Sequence, residues 1–437
     1  GGGGGSIMRI RVLQNIIDIL RLKKKPFFYY KRHYRKLLDK EKSLKNKDVI
    51  QVAFLYKYSS DCQAFNLLDR LLLDKEFEVS IIINPDISRG EEHFAFQYHK
   101  TKEYFVKHYG QEIVLDGYDF GNSAFVDFTK DKNFDLMLTD SPYETMAHDF
   151  FKIQYWIEKG ILVLYISYFY MGRCRITIDN LAMEHMSKVW LFCVENPFVL
   201  SLAKKYMPLR GRNIIMSGYP KMDSLQSYTT KADRDQSPEI RKRVIVAPHH
   251  SFYFDFIGAF MCFYDVLLQC MKDFSEIDFV FRPHPLLIIN LKKDEWWGEA
   301  KTDEYLESIC ALPNVKYSEG GDYMEEFVKC DALIHDCGSF MAEFLYTDKP
   351  CAFMYREDLD KAKQFTAFGI KCLEAHYSIF NRDDMYSFLR NVVLGGNDIK
   401  REERISFARN EVMINYPYAT EFIYQQLRER LRNESRS

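Results

Sequence analysis

No run of about 18 apolar residues occurs in this 437-residue chain, so a membrane-spanning helix is not expected. No G-x-x-x-x-G-K-[ST] loop and no G-x-G-x-x-G turn is present, which argues against a nucleoside-triphosphate enzyme and against a dehydrogenase. The ten cysteines are scattered, mostly in apolar context such as Cys193 in WLFCVE and Cys330 in FVKCDALI. None forms a CxxC pair or a Cys/His cluster with zinc spacing, so neither a disulfide framework nor a structural metal is expected. A reducing cytoplasm is the expected compartment, and no signal-peptide pattern directs the chain elsewhere. There is no internal repeat, and nothing of low complexity beyond the first residues, GGGGGS; residues 1–8 read as an expression-tag remnant.

The content is that of a globular protein, 47% hydrophobic and 28% charged, at a length that suits two domains better than one. The formal net charge of −2 singles out no partner class, and nucleic acid is not an expected one. Its distribution says more. Between Arg9 and Lys47 there are 14 Lys/Arg against 3 Asp/Glu, an excess of eleven positive charges. IIDILRL and FFYY interleave apolar and aromatic groups with that charge. Residues 9–47 therefore read as a basic amphipathic segment suited to an anionic membrane surface, or, more plainly, as a basic helix capping the domain that follows.

From there the chain alternates. VIQVAFLY, VSIIINPD, DLMLTD, ILVLYISY, VWLFCVE and NIIMSGYP read as strands, with helical spacing in SSDCQAFNLLDRLLL and near Pro197–Tyr206, which implies a parallel sheet. Residues 224–242 are polar and unpatterned and read as a linker between a domain at 48–223 and a second at 243–400. The second repeats the alternation with RVIVAPHH, IDFVFRPHP, NVKYSEG, CDALIHDC and KPCAFMY. Residues 401–437 read as amphipathic helices broken at Pro417. The expected class is α/β, two Rossmann-like domains with parallel sheets facing a cleft, preceded by the basic helical segment. In such folds ligands bind beyond the carboxyl ends of the strands.

Polar motifs stand at those ends. APHHSF offers His249 and His250; RPHP offers Arg282 and His284 between two prolines; SEGGDY offers Gly320 and Gly321 before Asp322 and Glu325, a candidate helix cap. HDCGSFMAE offers Asp336, Gly338, Ser339 and Glu343, and in the first domain GYPKMD offers Lys221. Together they read as a nucleotide-phosphate site. Arg282 supplies a forked cation and His284 a donor, Gly338 and Ser339 supply N–H groups and a hydroxyl at a helix N-terminus, and Glu343 accepts from ribose hydroxyls.

In order and separation, APHHSF, RPHP, CDALIHDCGSFMAEFLYTDKP and the upstream GYPKMD resemble the CDP-glycerol glycerophosphotransferases, the teichoic-acid polymerase type, over roughly residues 185–430. The resemblance implies the GT-B architecture, a CDP-activated polyol-phosphate donor, a lipid-linked or cell-surface glycan acceptor, peripheral attachment to the inner face of the cell membrane, and no metal or other cofactor. It assigns Arg282 and His284 to the donor pyrophosphate, Gly338 and Ser339 to its cradle and Glu343 to the ribose. It also implies C-terminal helices that brace the first domain. The implied reaction is in-line attack of an acceptor hydroxyl on the β-phosphorus, releasing CMP, with His249 or His250 as preferred base and His284 beside them. On the acceptor side the candidates are Asp140, Tyr168 and Lys221. The family's first-domain histidine is absent: its place reads LYISYFYMGR. A GT-B glycosyltransferase using a nucleotide-sugar donor is the alternative, with a nucleotide-sugar 2-epimerase and a non-catalytic capsule-assembly scaffold behind it.

Overall fold

The structure, a computed structural model, describes residues 27–59, 64–234, 241–252, 256–320 and 322–433. The chain forms two compact units: the first takes in the chain up to Phe169, Ile176–Asp223 and the chain from Ile414 onward, the second Tyr170–Arg175 and Ser224–Met413.

The first unit is built on a seven-stranded, all-parallel sheet. Its strands are β1 (Ile50–Tyr56), β2 (Phe77–Ile83), β3 (Val114–Asp116), β6 (Leu136–Thr139), β7 (Leu162–Ile166), β8 (Leu191–Val194) and β9 (Ile214–Met216), in the order β3-β2-β1-β6-β7-β8-β9. A two-stranded antiparallel ribbon, β4 (Tyr118–Asp119) and β5 (Ala124–Phe125), lies outside it. β6, β7 and β8 are buried at every position, the mark of a parallel sheet covered on both faces. Helix Phe27–Leu44 packs Leu37 and Leu44 into this core and hydrogen-bonds Glu41 to the indole of Trp190 at 2.8 Å. Lys47, just beyond it, meets the buried Asp135 at 2.7 Å. That much of the basic segment is a packed element of the unit, as the plainer reading had it. Residues 9–26, with IIDILRL, and the tag remnant lie outside the described residues.

The C-terminal helix Ala419–Leu431 completes the same core with Ile423, Leu427 and Leu431. Asp223 caps it from a distance, accepting from the backbone N–H of Ala419 and Thr420 at 3.2 and 2.8 Å. Arg428 and Arg432 bind Asp74 and Glu76, and Arg70 pairs with Glu421. Among the described residues, no helix is long and apolar enough to cross a membrane.

The second unit carries a six-stranded parallel sheet: β10 (Arg243–Ala247), β11 (Asp278–Phe281), β12 (Val315–Tyr317), β13 (Ala332–His335), β14 (Cys351–Met354) and β15 (Tyr377–Ile379), ordered β12-β11-β10-β13-β14-β15. Its core gathers Val244, Val246, Phe279, Ala332, Ile334 and Met354 from the strands with Phe263, Leu267, Leu287 and Leu389 from the helices. The stretch read as an unpatterned linker contains a helix, Leu225–Arg234. Its surface is nearly all polar, so helical periodicity in apolar residues gives no signal there. Tyr228 nevertheless donates to Asp322, which docks it within this unit.

Candidate functional site

In the second sheet β10 pairs with β11 on one side and β13 on the other. The chain runs outward through β11 and β12 and then returns across β10 to β13, so the strand order reverses between β10 and β13. Ligands of open α/β sheets bind at such a switch point. Three of the motifs read from the sequence, APHHSF, RPHP and HDCGS, follow these three neighbouring strands, and parallel pairing brings them to one edge.

A buried carboxylate holds two of these loops together. Asp336 accepts from the N–H of His249 and of Ala259, both at 2.6 Å. It is fully buried, and that desolvation pushes its pKa up to about 7 against the lowering effect of those same bonds. Ser251 Oγ lies 2.7 Å from His249 Nδ1 and accepts from the N–H of Gly258 at 3.2 Å. A Cβ on Gly258 would fall 1.4 Å from the Ser251 carbonyl oxygen, so only glycine closes this loop.

Three imidazoles gather here. The ring centroids of His249 and His250 are 4.1 Å apart, those of His250 and His284 4.6 Å, and those of His249 and His284 5.9 Å. Burial is the leading cause that lowers each proton affinity. His249 is held well below 6.5, since a proton on it would be repelled by one on His250, by the Arg173 charge and by one on His284, and His250 is brought to about 4. His284 is lowered by burial and then by Arg282. All three rings are neutral at pH 7.

Backbone bonds fix two of the tautomers. His284 caps helix Pro285–Lys293, its Nδ1 accepting from the N–H of Leu286 at 3.1 Å. His249 Nδ1 accepts from the N–H of Ser251 at 3.2 Å. A nitrogen that accepts carries no proton, so both rings bear theirs on Nε2 and present an N–H donor. His249 and His284 therefore present N–H donors.

Arg282 is buried and engaged. Its guanidinium meets Glu326 at 2.7 Å and Ser318 Oγ at 3.4 Å, and lies over the Tyr323 ring at 5.7 Å. It also donates to the carbonyl of Gly320 at 3.5 Å, which places Gly320 beside it; Gly321 lies outside the described residues. Glu343 is buried and accepts from the Tyr323 hydroxyl. Asp322 accepts from the N–H of Met324 at 2.9 Å from one residue ahead of the N-cap position, which Tyr323 takes without a side-chain cap, and Glu325 turns to Lys329 at 2.8 Å, so the expected capping box does not form.

The turn after β13 differs from its expected form. The helix that opens with Phe340 runs only to Glu343 before passing into a 3-10 turn at Phe344–Thr347, and Ser339 makes no side-chain cap. Four residues align too few peptide dipoles for the helix-end field that a longer helix provides. What stands against this turn is a side chain the sequence reading passed over. A Cβ on Gly338 would fall 2.7 Å from Cδ of Arg173. The lysine of the DKP motif is structural: Lys349 is bonded to the carbonyls of Phe327 and Val328 at 2.8 and 2.6 Å, ending helix Met324–Lys329.

The acceptor-side candidates belong to the first unit. Asp140 follows β6 and accepts from the N–H of Lys57, at the end of β1, at 2.9 Å; the buried Lys57 ammonium is 3.4 Å away. This pair occupies the first sheet's own switch point, between β1 and β6. The Tyr168 hydroxyl is bonded to that of Tyr143 at 2.6 Å, and Asn180 donates to Tyr143 at 3.2 Å. Lys221 lies in the short turn Pro220–Ser224, half-buried. A further group that sequence reading missed follows β1 and β2: the Tyr58 hydroxyl donates to the buried Asp86 and lies 2.9 Å from His93 Nε2. No strand-end motif announces these residues, because His93 comes from the following helix.

No protein-family model matches the sequence, and no curated protein matches it. Solved structures do match in fold. UDP-GlcNAc 2-epimerase from Neisseria meningitidis, solved bound to UDP-GlcNAc, is similar with a TM-score of 0.56 at 11% identity, over 87% of this chain and 100% of that chain. A putative UDP-N-acetylglucosamine 2-epimerase from Listeria monocytogenes is similar at 0.54 and 12%, over 87% and 96%. The wall teichoic acid polymerase TagF is similar at 0.55 and 12%, over 96% of this chain and 98% of that one. At such identities the likeness bears on fold. The chain has a GT-B-like α/β fold with two Rossmann-like sets of parallel strands, seven and six.

Proposed function

We propose that this protein is a transferase that moves glycerol phosphate, or a related polyol phosphate, from a CDP-activated donor to a hydroxyl of a lipid-linked or cell-surface glycan. One observation carries the reading: three neutral imidazoles, two with their N–H donors fixed, stand together at the carboxyl edge of β10 and β11, beside the turn after β13. Neutral donors suit a dianionic pyrophosphate whose oxygens gain charge as a bond to phosphorus breaks. Arg282, Gly320, Asp336, Gly338 and Ser339 shape or contact the phosphates, and Glu343 takes the ribose. The acceptor oxygen attacks the β-phosphorus, the bond from that phosphorus to the bridging oxygen breaks, and CMP leaves with the electron pair. His250 takes the acceptor proton. Asp140, Tyr168 and Lys221 serve the acceptor. The fold neighbours support a nucleotide-activated donor, since their structures carry UDP-GlcNAc, UDP or CDPG. They do not choose among donors.

Nor does the reading need a spanning helix. We place the protein on the inner face of the cell membrane through residues 9–47, where Phe28, Lys31, Arg32, Arg35 and Lys36 are exposed.

The test is nucleotide release from CDP-glycerol, CDP-ribitol and a panel of UDP-, GDP- and CMP-sugars, with and without membrane-lipid extract. CMP release from a CDP-polyol is the expected result. UDP or GDP release from a sugar donor would replace the reading with a glycosyltransferase.

A further inference from the structure

A phosphate site needs net positive charge, and Arg282 supplies little of it. Its guanidinium is matched by the Glu326 carboxylate at 2.7 Å, and the other oxygen of that carboxylate accepts from Ser318 at 2.7 Å. The three histidines are neutral. A second cation stands at this edge.

It comes from the segment Tyr170–Arg175, which belongs to the second unit although the chain on either side of it belongs to the first. Several contacts clamp this strap. Arg173 forms an antiparallel bridge with Phe365, and Thr366 donates its N–H to the Gly172 carbonyl at 2.9 Å. The Thr366 hydroxyl bonds the Met171 carbonyl at 3.1 Å, and Tyr170 is bonded to Tyr346 and to the Val412 carbonyl. The backbone approach is close: a Cβ on Gly172 would meet Met341 Cε at 2.1 Å, and one on Gly369 would meet the Gly172 oxygen at 2.1 Å. So placed, Arg173 runs its side chain across Gly338, with Cδ at 2.7 Å and Cγ at 3.3 Å from where a Cβ would stand. Its charge reaches the imidazoles of both His249 and His250.

We infer that Arg173 is the cation that binds the pyrophosphate of the donor, with the His249 and His284 N–H groups as its neutral partners, and that Arg282 acts at one remove by bracing Ser318 through Glu326. Gly338 is glycine because the arginine stem occupies the volume of its side chain. This inference rests on the proposed donor site and names the residue that carries its charge. It also gives a role to LYISYFYMGR, the stretch that lacks the family's histidine: what it brings is an arginine.

The experiment is calorimetric titration of wild type, Arg173→Gln, Arg173→Lys and Gly338→Ala with CDP-glycerol, CMP, UDP-GlcNAc and inorganic pyrophosphate, each variant first checked by its thermal unfolding. A charge-assisted contact predicts a loss of about 10- to 100-fold for pyrophosphate and CDP-glycerol in Arg173→Gln, less for CMP, and partial retention in Arg173→Lys. Gly338→Ala, which displaces the side chain without removing its charge, is expected to weaken pyrophosphate in the same direction and keeps the test open should Arg173→Gln fail to fold. Wild-type affinity for pyrophosphate and CDP-glycerol in Arg173→Gln overturns the assignment and leaves the donor reading standing. Arg173-dependent binding of pyrophosphate alone, with none of the three nucleotides bound by wild type, keeps the assignment and overturns the donor reading. No binding of any of the four by wild type overturns both.

Discussion

His249, His250, His284, His335 and His376 all bind protons less readily in the folded second unit than in a free chain, burial being the leading cause for each. His335 and His376 form a buried pair, Nε2 to Nε2 at 2.9 Å, ended by His376 Nδ1 donating to the Cys372 carbonyl at 2.7 Å. One hydrogen serves that contact, and His335 Nδ1 accepts from the N–H of Cys337 at 3.0 Å, so the two rings hold two protons between them and both are neutral. The sign of the pH dependence follows. In the unfolded chain these groups charge near pH 6.5, whereas in the folded chain His250 and His376 resist to about 4. Stability is whole above pH 6.5 and is lost as pH falls from there towards 4, because the unfolded state then binds more protons. Asp336, raised to about 7, works the other way, favouring the fold at low pH, but it is one group against five. The thermal midpoint should therefore drop between pH 7.5 and pH 5; an equal midpoint at both would show that these rings are not held neutral. His284 allows a cleaner separation of stability from function. His284→Asn retains a capping acceptor for the Leu286 N–H, so unfolding should change by under about 1 kcal/mol. The Nε2–H donor is lost, and turnover of the active donor should fall by about 100-fold. Unchanged turnover would remove RPHP from the site.

At the scale of elements, strands were the legible part of this chain. Apolar runs such as VIQVAFLY and RVIVA became β1 and β10 because a strand covered on both faces needs continuous apolar sequence. The three-residue edge strands β3 and β15 left no such run, with exposed or half-buried Asp116, Tyr377 and Ser378 among their residues. The motifs after β10, β11 and β13 were legible as polar residues at strand ends, and the sheet order explains why they meet. What could not be read was commitment: nothing in RPHP says that Arg282 will be matched by Glu326, 44 positions on, or that Arg173, 165 positions before Gly338, lies against that glycine. The C-terminal helix illustrates the same point. Its apolar face was plain, but its anchoring rests on Asp74 and Glu76, in the turn before β2. Arg432 is fully buried, binding Glu76 at 3.0 Å and the carbonyls of Leu44 and Asp48, both at 3.2 Å. Arg432→Ala leaves one oxygen of that carboxylate, whose other oxygen keeps Arg428, and two carbonyls without the Arg432 donor, and should destabilise the first unit by about 3 kcal/mol in denaturant unfolding. A change below about 0.5 kcal/mol would mean that the Arg432 contacts add nothing to the hold of Ile423, Leu427, Leu431 and the Arg428 and Arg70 ion pairs.

For the molecule as a whole, the proposed attachment to an anionic surface has to be reconciled with a formal net charge of −2. The answer lies in one helix. Phe27–Leu44 carries six Lys/Arg against two Asp/Glu, and folding divides them. Tyr30, Leu37 and Leu44 are buried, and Lys40 pairs with Asp135 at 3.5 Å. Lys31, Arg32, Arg35 and Lys36 stay exposed, with Phe28 exposed at 73% near the start of the helix. Cations beside an exposed aromatic ring are the chemistry that adsorbs to phosphatidylserine-type headgroups, at roughly 1 kcal/mol per basic residue near the surface. Deleting the helix would be a poor test, since it would strip Leu37 and Leu44 from the core. Lys31→Gln, Arg32→Gln, Arg35→Gln and Lys36→Gln together leave the buried face intact. With about four contacts removed, binding to vesicles containing anionic lipid should fall by 100-fold or more at 0.1 M salt, while neutral vesicles bind weakly throughout. Wild-type binding should itself weaken as salt rises, and Phe28→Ser should lower it with little change in that salt response. If the quadruple variant partitions like wild type, the helix serves only the first unit, and any attachment to the membrane rests on other residues.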